Sequence, residues 1–369
     1  MNRQRIHLIA AARPNFMKVA PLYRALAEEA WCSPCIVHTG QHYDANMSDA
    51  FFRDLQLPEP AHHLEVGSGS HAEQTGRTMM AYERVCAEDH PAAIVVVGDV
   101  NATAACTLVG AKDWIPVVHL EAGLRSRDRR MPEEINRLVT DSISDLLWTP
   151  SSDADENLRI EGVDPARIVR IGNIMIDSFE MLRARIAEAA VPQRMRLEGS
   201  PYAMVTLHRP SNVDEPETLG TIVSVLEELT TQLEVVFAVH PRTRKRLVQF
   251  GLERRILGNP QIRATEPLGY IEFMSLVCGA AIAITDSGGL QEETTYLGIP
   301  CATVRENTER PITITEGTNC LAKPSELPRL VSDALEGRWP RGRRPEFWDG
   351  RAAERAAASL ERFLADRQG

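Results

Sequence analysis

Residues 280–298 read AAIAITDSGGLQEETTYLG. The apolar, β-branched run 280–285 predicts a buried parallel strand. Asp286-Ser287-Gly288-Gly289 predicts a tight turn, because adjacent glycines accept unusual φ values and let a ligand approach the backbone. Residues 290–297 read as the helix that follows. A strand, a Gly-Gly turn and a helix N-terminus form an anion site, since free N–H groups and the helix dipole point at it. Glu293 stands about one turn into the helix. A carboxylate there cannot ligate phosphate, but it accepts hydrogen bonds from sugar hydroxyls. Phosphate beside ribose reads as a nucleotide; a plain βα connection would produce the same turn.

The same strand–loop–helix unit recurs along the chain. Strands are predicted at 6–11, 35–39, 93–97, 116–120, 146–149 and 168–171, with helices between them. A helix at 179–198 then connects to a second series, with strands at 202–207, 235–239, 280–285 and 301–304. Terminal helices are predicted at 325–335 and 351–364. Alternating strands and helices mean parallel sheets covered on both faces. The fold class is therefore α/β, with two Rossmann-like, doubly wound domains in tandem that divide at 175/176. Ligands bind beyond the carboxyl ends of such strands. Neither half carries GxGxxG, so a dehydrogenase-type dinucleotide site has no support.

At 369 residues the chain exceeds what one core usually holds. A net charge of -10 argues against a general nucleic-acid binder. No apolar run reaches the ~18 residues that suggest a membrane span. The basic start with its short apolar stretch reads as a first strand, because Arg13 and Lys18 interrupt any signal-peptide core. The seven cysteines are scattered. The single Cys32-Ser33-Pro34-Cys35 has no second half, so buried, reduced thiols and a cytoplasmic location are expected, with no metal site.

The residues just after each strand are the candidates for chemistry. Arg13 and Lys18 place two cations at the first loop, suited to a diphosphate or to a solvated helix face. Asp99 and Glu121 end fully apolar strands. A carboxylate there is desolvated unless it has work or partners, and a structural hydrogen bond to a neighbouring loop is the competing explanation. Pro132-Glu133-Glu134 opens a helix, where acids also serve as dipole compensation. A carboxylate there near Asp99 and Glu121 would make a cluster whose members raise one another's pKa, suited to moving a proton on and off carbon. His208-Arg209 could meet a phosphate, whereas His240 reads as a satisfied core histidine. Neither HExxH nor GxSxG is present.

Taken in order, Arg13-Pro14-x-x-x-Lys18, Thr39-Gly40-Gln41-His42, Gly98-Asp99, Glu121-Ala122-Gly123-Leu124-Arg125, Pro132-Glu133-Glu134-x-Asn136-Arg137, His208-Arg209, Thr285 to Glu293 and Glu309-Arg310-Pro311 resemble the non-hydrolysing UDP-N-acetylglucosamine 2-epimerases. The resemblance implies a glycosyltransferase-B-like fold with an interdomain active-site cleft. It also implies a last helix, 351–366, that crosses back to the first domain, leaving 176–350 as the UDP-binding domain. The implied reaction inverts C2 by eliminating UDP to 2-acetamidoglucal and adding it back, without cofactor or metal. Asp99, Glu121 and Glu133 match the family's catalytic carboxylates, with base and acid unassigned, and His208 matches the histidine beside the leaving UDP. Arg13, Lys18, Ser287, Gly288, Gly289, Glu293 and Arg310 match UDP-sugar contacts, with Glu293 on the ribose and Phe273 near the uracil. Gln41, Arg209 and His240 match positions of an allosteric site. Gln41-His42 is followed here by Tyr43-Asp44, and Val66 to Ser70 replace an expected Arg, so weak or absent activation by substrate is expected. A homodimer is implied. A related UDP-2-acetamido sugar, such as a diacetamido uronic acid, is the alternative substrate. A hydrolysing epimerase, a glycosyltransferase and a UDP-sugar sensor are the competing functions.

Overall fold

The computed structural model describes residues 3–11, 13–40 and 55–367. It divides into two compact units, Met1–Met181 with Glu346–Gly369, and Leu182–Pro345. The helix Ile174–Ala189 carries the chain from one unit to the next.

The first unit holds a parallel sheet of β1 (Gln4–Ala10), β2 (Cys32–His38), β3 (His62–His63), β4 (Ala93–Val97), β5 (Val117–Leu120), β6 (Leu146–Thr149) and β7 (Ile168–Arg170). Their spatial order is β3-β2-β1-β4-β5-β6-β7. All five residues of β4, AIVVV, are buried, as a central strand covered on both faces requires. The order reverses between β1 and β4, so the switch point where such sheets bind ligands lies beside the ends of these two strands.

The second unit repeats the plan with β8 (Tyr202–Thr206), β9 (Glu234–Ala238), β10 (Ile262–Thr265), β11 (Ile282–Thr285), β12 (Cys301–Thr303) and β13 (Asn319–Leu321). Their order is β10-β9-β8-β11-β12-β13. Its switch point falls between β8 and β11, which sets the loop of His208 beside the turn of Asp286. Residues such as Val205, Phe237, Ile284 and Leu226 form the core under this sheet.

Three strands went unforeseen. β3 spans two residues, β13 spans three, and only Ile262 of β10 is buried. Each is a sheet edge, where one side needs no apolar residues and the alternating signal disappears.

Helix Arg13–Glu28 contains Pro21, which cannot donate to the Met17 carbonyl one turn back. Ser178 Oγ donates to that carbonyl instead, so the helix continues. The last helix, Ala352–Asp366, packs against Arg13–Glu28. Its first amides, Ala352 and Ala353, donate to the buried Asp177 carboxylate at 3.1 and 2.7 Å. Burial pushes Asp177 up to about 6 even though these two amides favour its ionised form. Trp148 Nε1 donates to Ser359 Oγ at 3.0 Å, tying the helix to β6. Among the described residues, no helix is long and apolar enough to cross a membrane.

Candidate functional site

In the first unit, the switch point gathers Lys18, Asn15, Gly98 and Glu121. Lys18 projects from helix Arg13–Glu28 and its Nζ pairs with Glu121 Oε2. Arg13 is the first residue of that helix. A Cβ on Gly98 would lie 3.5 Å from Glu121 Oε2, 3.6 Å from Lys18 Nζ and 3.7 Å from Asn15 Nδ2. These are ordinary van der Waals distances, so it is the φ of +68° rather than crowding that suits glycine there. Glu121 itself has a φ of +73°. Such a backbone costs a non-glycine residue about 1 kcal/mol or more, and strain of this kind concentrates at functional sites. The Glu121 side chain is 5% exposed, and its Oε1 is buried with no hydrogen-bond partner among the described residues.

Asp99 follows on the next residue but faces a different neighbour. Its Oδ2 accepts from Arg137 Nη2 at 2.8 Å and Nε at 3.1 Å. Asn136 Nδ2 donates to the Asp99 carbonyl at 2.9 Å. Both partners lie on helix Pro132–Ile143. Glu133 is exposed in the first turn of this helix. It stands four residues before Arg137, hence on the same helical face as the group that holds Asp99. It makes no hydrogen bond or ion pair among the described residues. Glu134 is the buried acid: it accepts from the Ser126 and Arg127 amides at 2.9 and 2.8 Å and pairs with Arg137.

Residues that sequence reasoning overlooked support this arrangement. His119 bridges from Asp141 Oδ1, 2.6 Å from Nδ1, to the Gly98 carbonyl, 2.8 Å from Nε2. Asp141 Oδ2 also accepts from the Gly123 amide at 3.1 Å and pairs with Arg125 at 2.7 Å. The ends of β4 and β5 are thereby fixed to one buried carboxylate. A histidine inside the apolar strand VVHL was the available signal, because a fully buried polar ring needs partners.

In the second unit, Asp286 is fully buried and organises the switch point. It accepts from the His208 amide at 2.9 Å, the Arg209 amide at 2.8 Å and Asn212 Nδ2 at 3.0 Å. Its Oδ1 lies 2.9 Å from His208 Nδ1. Burial alone would raise the Asp286 pKa, but the hydrogen bond and charge of His208, with the Arg209 amide and Asn212, hold it below the usual carboxylate value.

Ser287 caps helix Gly288–Leu297 by position only, since its hydroxyl makes no capping bond. A Cβ on Gly288 would meet Arg310 Nη1 at 2.6 Å and Glu309 Oε1 at 2.8 Å, so the ends of these two side chains would have to shift to admit it. A Cβ on Gly289 would face open space. The first-turn amides of this helix have no intrahelical acceptors, which suits an anion. Arg310 Nε lies 2.8 Å from Glu292, and its Nη1 lies 2.5 Å from Glu309, so its fork is fixed beside the turn. Glu293 is 5% exposed and accepts from Tyr270 Oη at 2.7 Å. Burial, reinforced by the charge of Glu292, pushes the Glu293 carboxyl up to about 7, against the pull of Tyr270. Phe273 is half-buried on helix Tyr270–Cys278, the helix that also supplies Tyr270.

His240 departs from its expected place in the core. It is exposed, its Nδ1 accepts from the Arg242 amide at 3.2 Å to cap helix Pro241–Gln249, and its ring lies 5.1 Å from that of His208. It follows Val239, where the chain has left β9, so the apolar burial of the strand does not extend to it. Arg209 Nε donates to the Asp286 carbonyl at 3.1 Å. Gln41 lies outside the described residues.

A family model described as UDP-N-acetylglucosamine 2-epimerase matches residues 24–361. The chain is 40% identical to a UDP-N-acetylglucosamine 2-epimerase of Methanocaldococcus jannaschii, over 96% of this chain and 98% of that one. It is 39% identical to a UDP-2,3-diacetamido-2,3-dideoxy-D-glucuronate 2-epimerase of Pseudomonas aeruginosa, over 86% of this chain and 88% of that one. The crystal structure of the M. jannaschii UDP-GlcNAc 2-epimerase in complex with UDP-GlcNAc and UDP superposes with a TM-score of 0.87 at 39% identity, covering 97% of this chain and 99% of that one. The two doubly wound sheets and the match along almost the whole chain lead to one conclusion: this protein belongs to the UDP-N-acetylglucosamine 2-epimerase family.

Proposed function

We propose that the protein interconverts UDP-GlcNAc and UDP-ManNAc by eliminating UDP and adding it back. The observation that carries this reading is the Glu121 carboxylate, buried, backbone-strained, and held by Lys18 through one oxygen while the other lacks a partner among the described residues. The C2 proton of the sugar is not acidic, because no carbonyl adjoins it. A carboxylate removes it as the C–H electrons form the C1=C2 bond and the C1–O bond breaks toward UDP. The product is 2-acetamidoglucal. UDP then adds back to C1, while a carboxylic acid on the opposite face protonates C2. Asp99, Glu121 and Glu133 supply these groups in the first unit. His208, Arg310 and the amides after Ser287 take up the charge on departing UDP, which they hold for re-addition. Arg13 and Lys18 contribute cations, and Phe273 stands near the uracil. The active form in this reading is a cytoplasmic homodimer that feeds an activated amino sugar to polysaccharide assembly.

Glu293 takes the ribose hydroxyls. Those hydroxyls donate, so they bind the ionised carboxylate in preference to the acid. With the free-protein pKa raised to about 7, UDP binding at pH 6 releases a proton from Glu293. Titration calorimetry in buffers of different ionisation enthalpy should read that proton in the wild type. In Glu293→Gln only the contribution of UDP's own phosphate remains. An unchanged proton count in the variant would remove Glu293 from the ribose site.

A second reading, epimerisation of a 2,3-diacetamido uronic acid carried on UDP, is favoured by the Pseudomonas relative. Turnover of both UDP-sugars, followed by mass spectrometry and NMR of the products, decides between them. The primary reading expects UDP-GlcNAc to be the better substrate by kcat/KM; preference for the diacetamido uronate reverses the assignment.

A further inference from the structure

We propose that His7, Cys35, His62 and Asp89 bind one zinc ion that pins the edge of the first sheet. The residues come from β1, β2, β3 and the last position of helix His71–Asp89. His7 and Cys35 are direct partners in the β1–β2 register, and His62 pairs with Val37, two residues on from Cys35. Alternation along β2 points Cys35 and Val37 to one face. The four potential ligand atoms lie within 4.8 Å of one another.

The carboxylate is the focus of the cluster. Asp89 Oδ2 lies 3.1 Å from His7 Nε2 and 2.7 Å from His62 Nε2. Its other oxygen, Oδ1, pairs with Arg5. The other ring nitrogen of His7 lies 3.1 Å from Tyr82 Oη. These are the outer contacts that orient ligating histidines and carboxylates in metal sites. Two neutral imidazoles, one thiolate and one carboxylate balance a divalent cation, and a set of nitrogen, sulfur and oxygen donors suits tetrahedral zinc. Bond lengths of 2.0 to 2.3 Å place tetrahedral donors about 3.3 to 3.8 Å apart, so closure needs side-chain shifts of roughly 1 Å. His62 and Asp89 reach the surface, with 23% and 13% side-chain exposure, which provides an entry path.

The spacing of Cys and His along the chain did not announce this cluster, and the proposal departs from the expectation of no metal site. Its role would be structural. β3 contributes only two residues to the sheet, too short to hold an edge by its own ladder. The ion would fasten that edge to β1, β2 and the helix above them.

The test titrates untagged, chelator-treated protein with Co(II). The expected result is uptake of one equivalent, tetrahedral d–d bands in the visible and a thiolate-to-cobalt charge-transfer band in the near ultraviolet, all displaced by one equivalent of Zn(II). Cys35→Ser should lose the charge-transfer band. His62→Ala, at a partly exposed position, should bind about 100-fold more weakly, and Tyr82→Phe about 10-fold more weakly. Circular dichroism establishes that each variant is folded. If Cys35→Ser does not fold, the wild-type spectrum and His62→Ala decide. Absence of the charge-transfer band in wild type, an undiminished band in folded Cys35→Ser, or unchanged affinity in His62→Ala would overturn the proposal and leave the cluster a hydrogen-bonded one.

Discussion

Glu121→Gln is expected to lower kcat by about 10²–10⁴-fold while the folded variant still binds UDP, because an amide of the same shape cannot exchange the C2 proton. The substitution is close to isosteric, so the backbone at φ +73° carries the same strain in both proteins. It does remove the counter-charge of Lys18, whose side chain is 11% exposed. Breaking a largely buried pair from one side costs about 3 to 5 kcal/mol, less where the lysine is relieved by losing its proton. The variant should therefore melt earlier, and turnover is to be measured well below its Tm. UDP binding by calorimetry separates the two effects: near-normal affinity with lost turnover places Glu121 at the proton. A kcat within about 10-fold of wild type would make Glu121 a structural partner of Lys18 and pass the chemistry to Asp99 and Glu133.

Asp286→Ala is expected to destabilise the second unit by about 3 to 5 kcal/mol. The loss is large because one buried carboxylate satisfies the His208 and Arg209 amides, Asn212 and the His208 ring together. UDP binding should weaken as well, since the loop of His208 and the turn of Ser287 lose their common support. Asp286→Asn, which keeps one acceptor oxygen, should fall between the two. The same group gives a pH dependence. Its folded pKa lies below the ordinary value of 3.8, so its stabilisation is complete above that value and is lost as pH falls through the folded one. Denaturant melts between pH 7 and pH 3 should show this acid-side loss in wild type and a smaller one in Asp286→Ala. A variant as stable as wild type at pH 7 would show that the loop holds its shape without the carboxylate.

The strand ends were legible because apolar, β-branched runs stopping at a charged residue have few explanations. Asp99 after AIVVVG, Glu121 after VVHL and the turn after Thr285 all carry that signature. Burial phase on a helix was not legible. Glu133 and Glu134 are adjacent in sequence, yet one is exposed and the other anchors two amides and Arg137, because tertiary packing selects the inward face. Asp286 looked like part of an anion-binding turn, but its side chain is turned inward and holds the neighbouring strand end. His119, Asp141 and Arg137 were hidden for a related reason: each acts on a residue more than 15 positions away, and periodicity carries no information about such partners. The His7, Cys35, His62 and Asp89 cluster is the extreme case, with four elements each supplying one side chain.

The central claim is that C2 is inverted by elimination and re-addition of UDP. Turnover of UDP-GlcNAc in heavy water, followed by mass spectrometry and NMR of both recovered UDP-sugars, tests it most directly. The account predicts one deuterium at C2 in the product epimer, appearing in the substrate pool as well as equilibrium is approached, with the sugar still joined to UDP. Epimerisation without deuterium at C2, or stoichiometric release of free ManNAc and UDP, would contradict it.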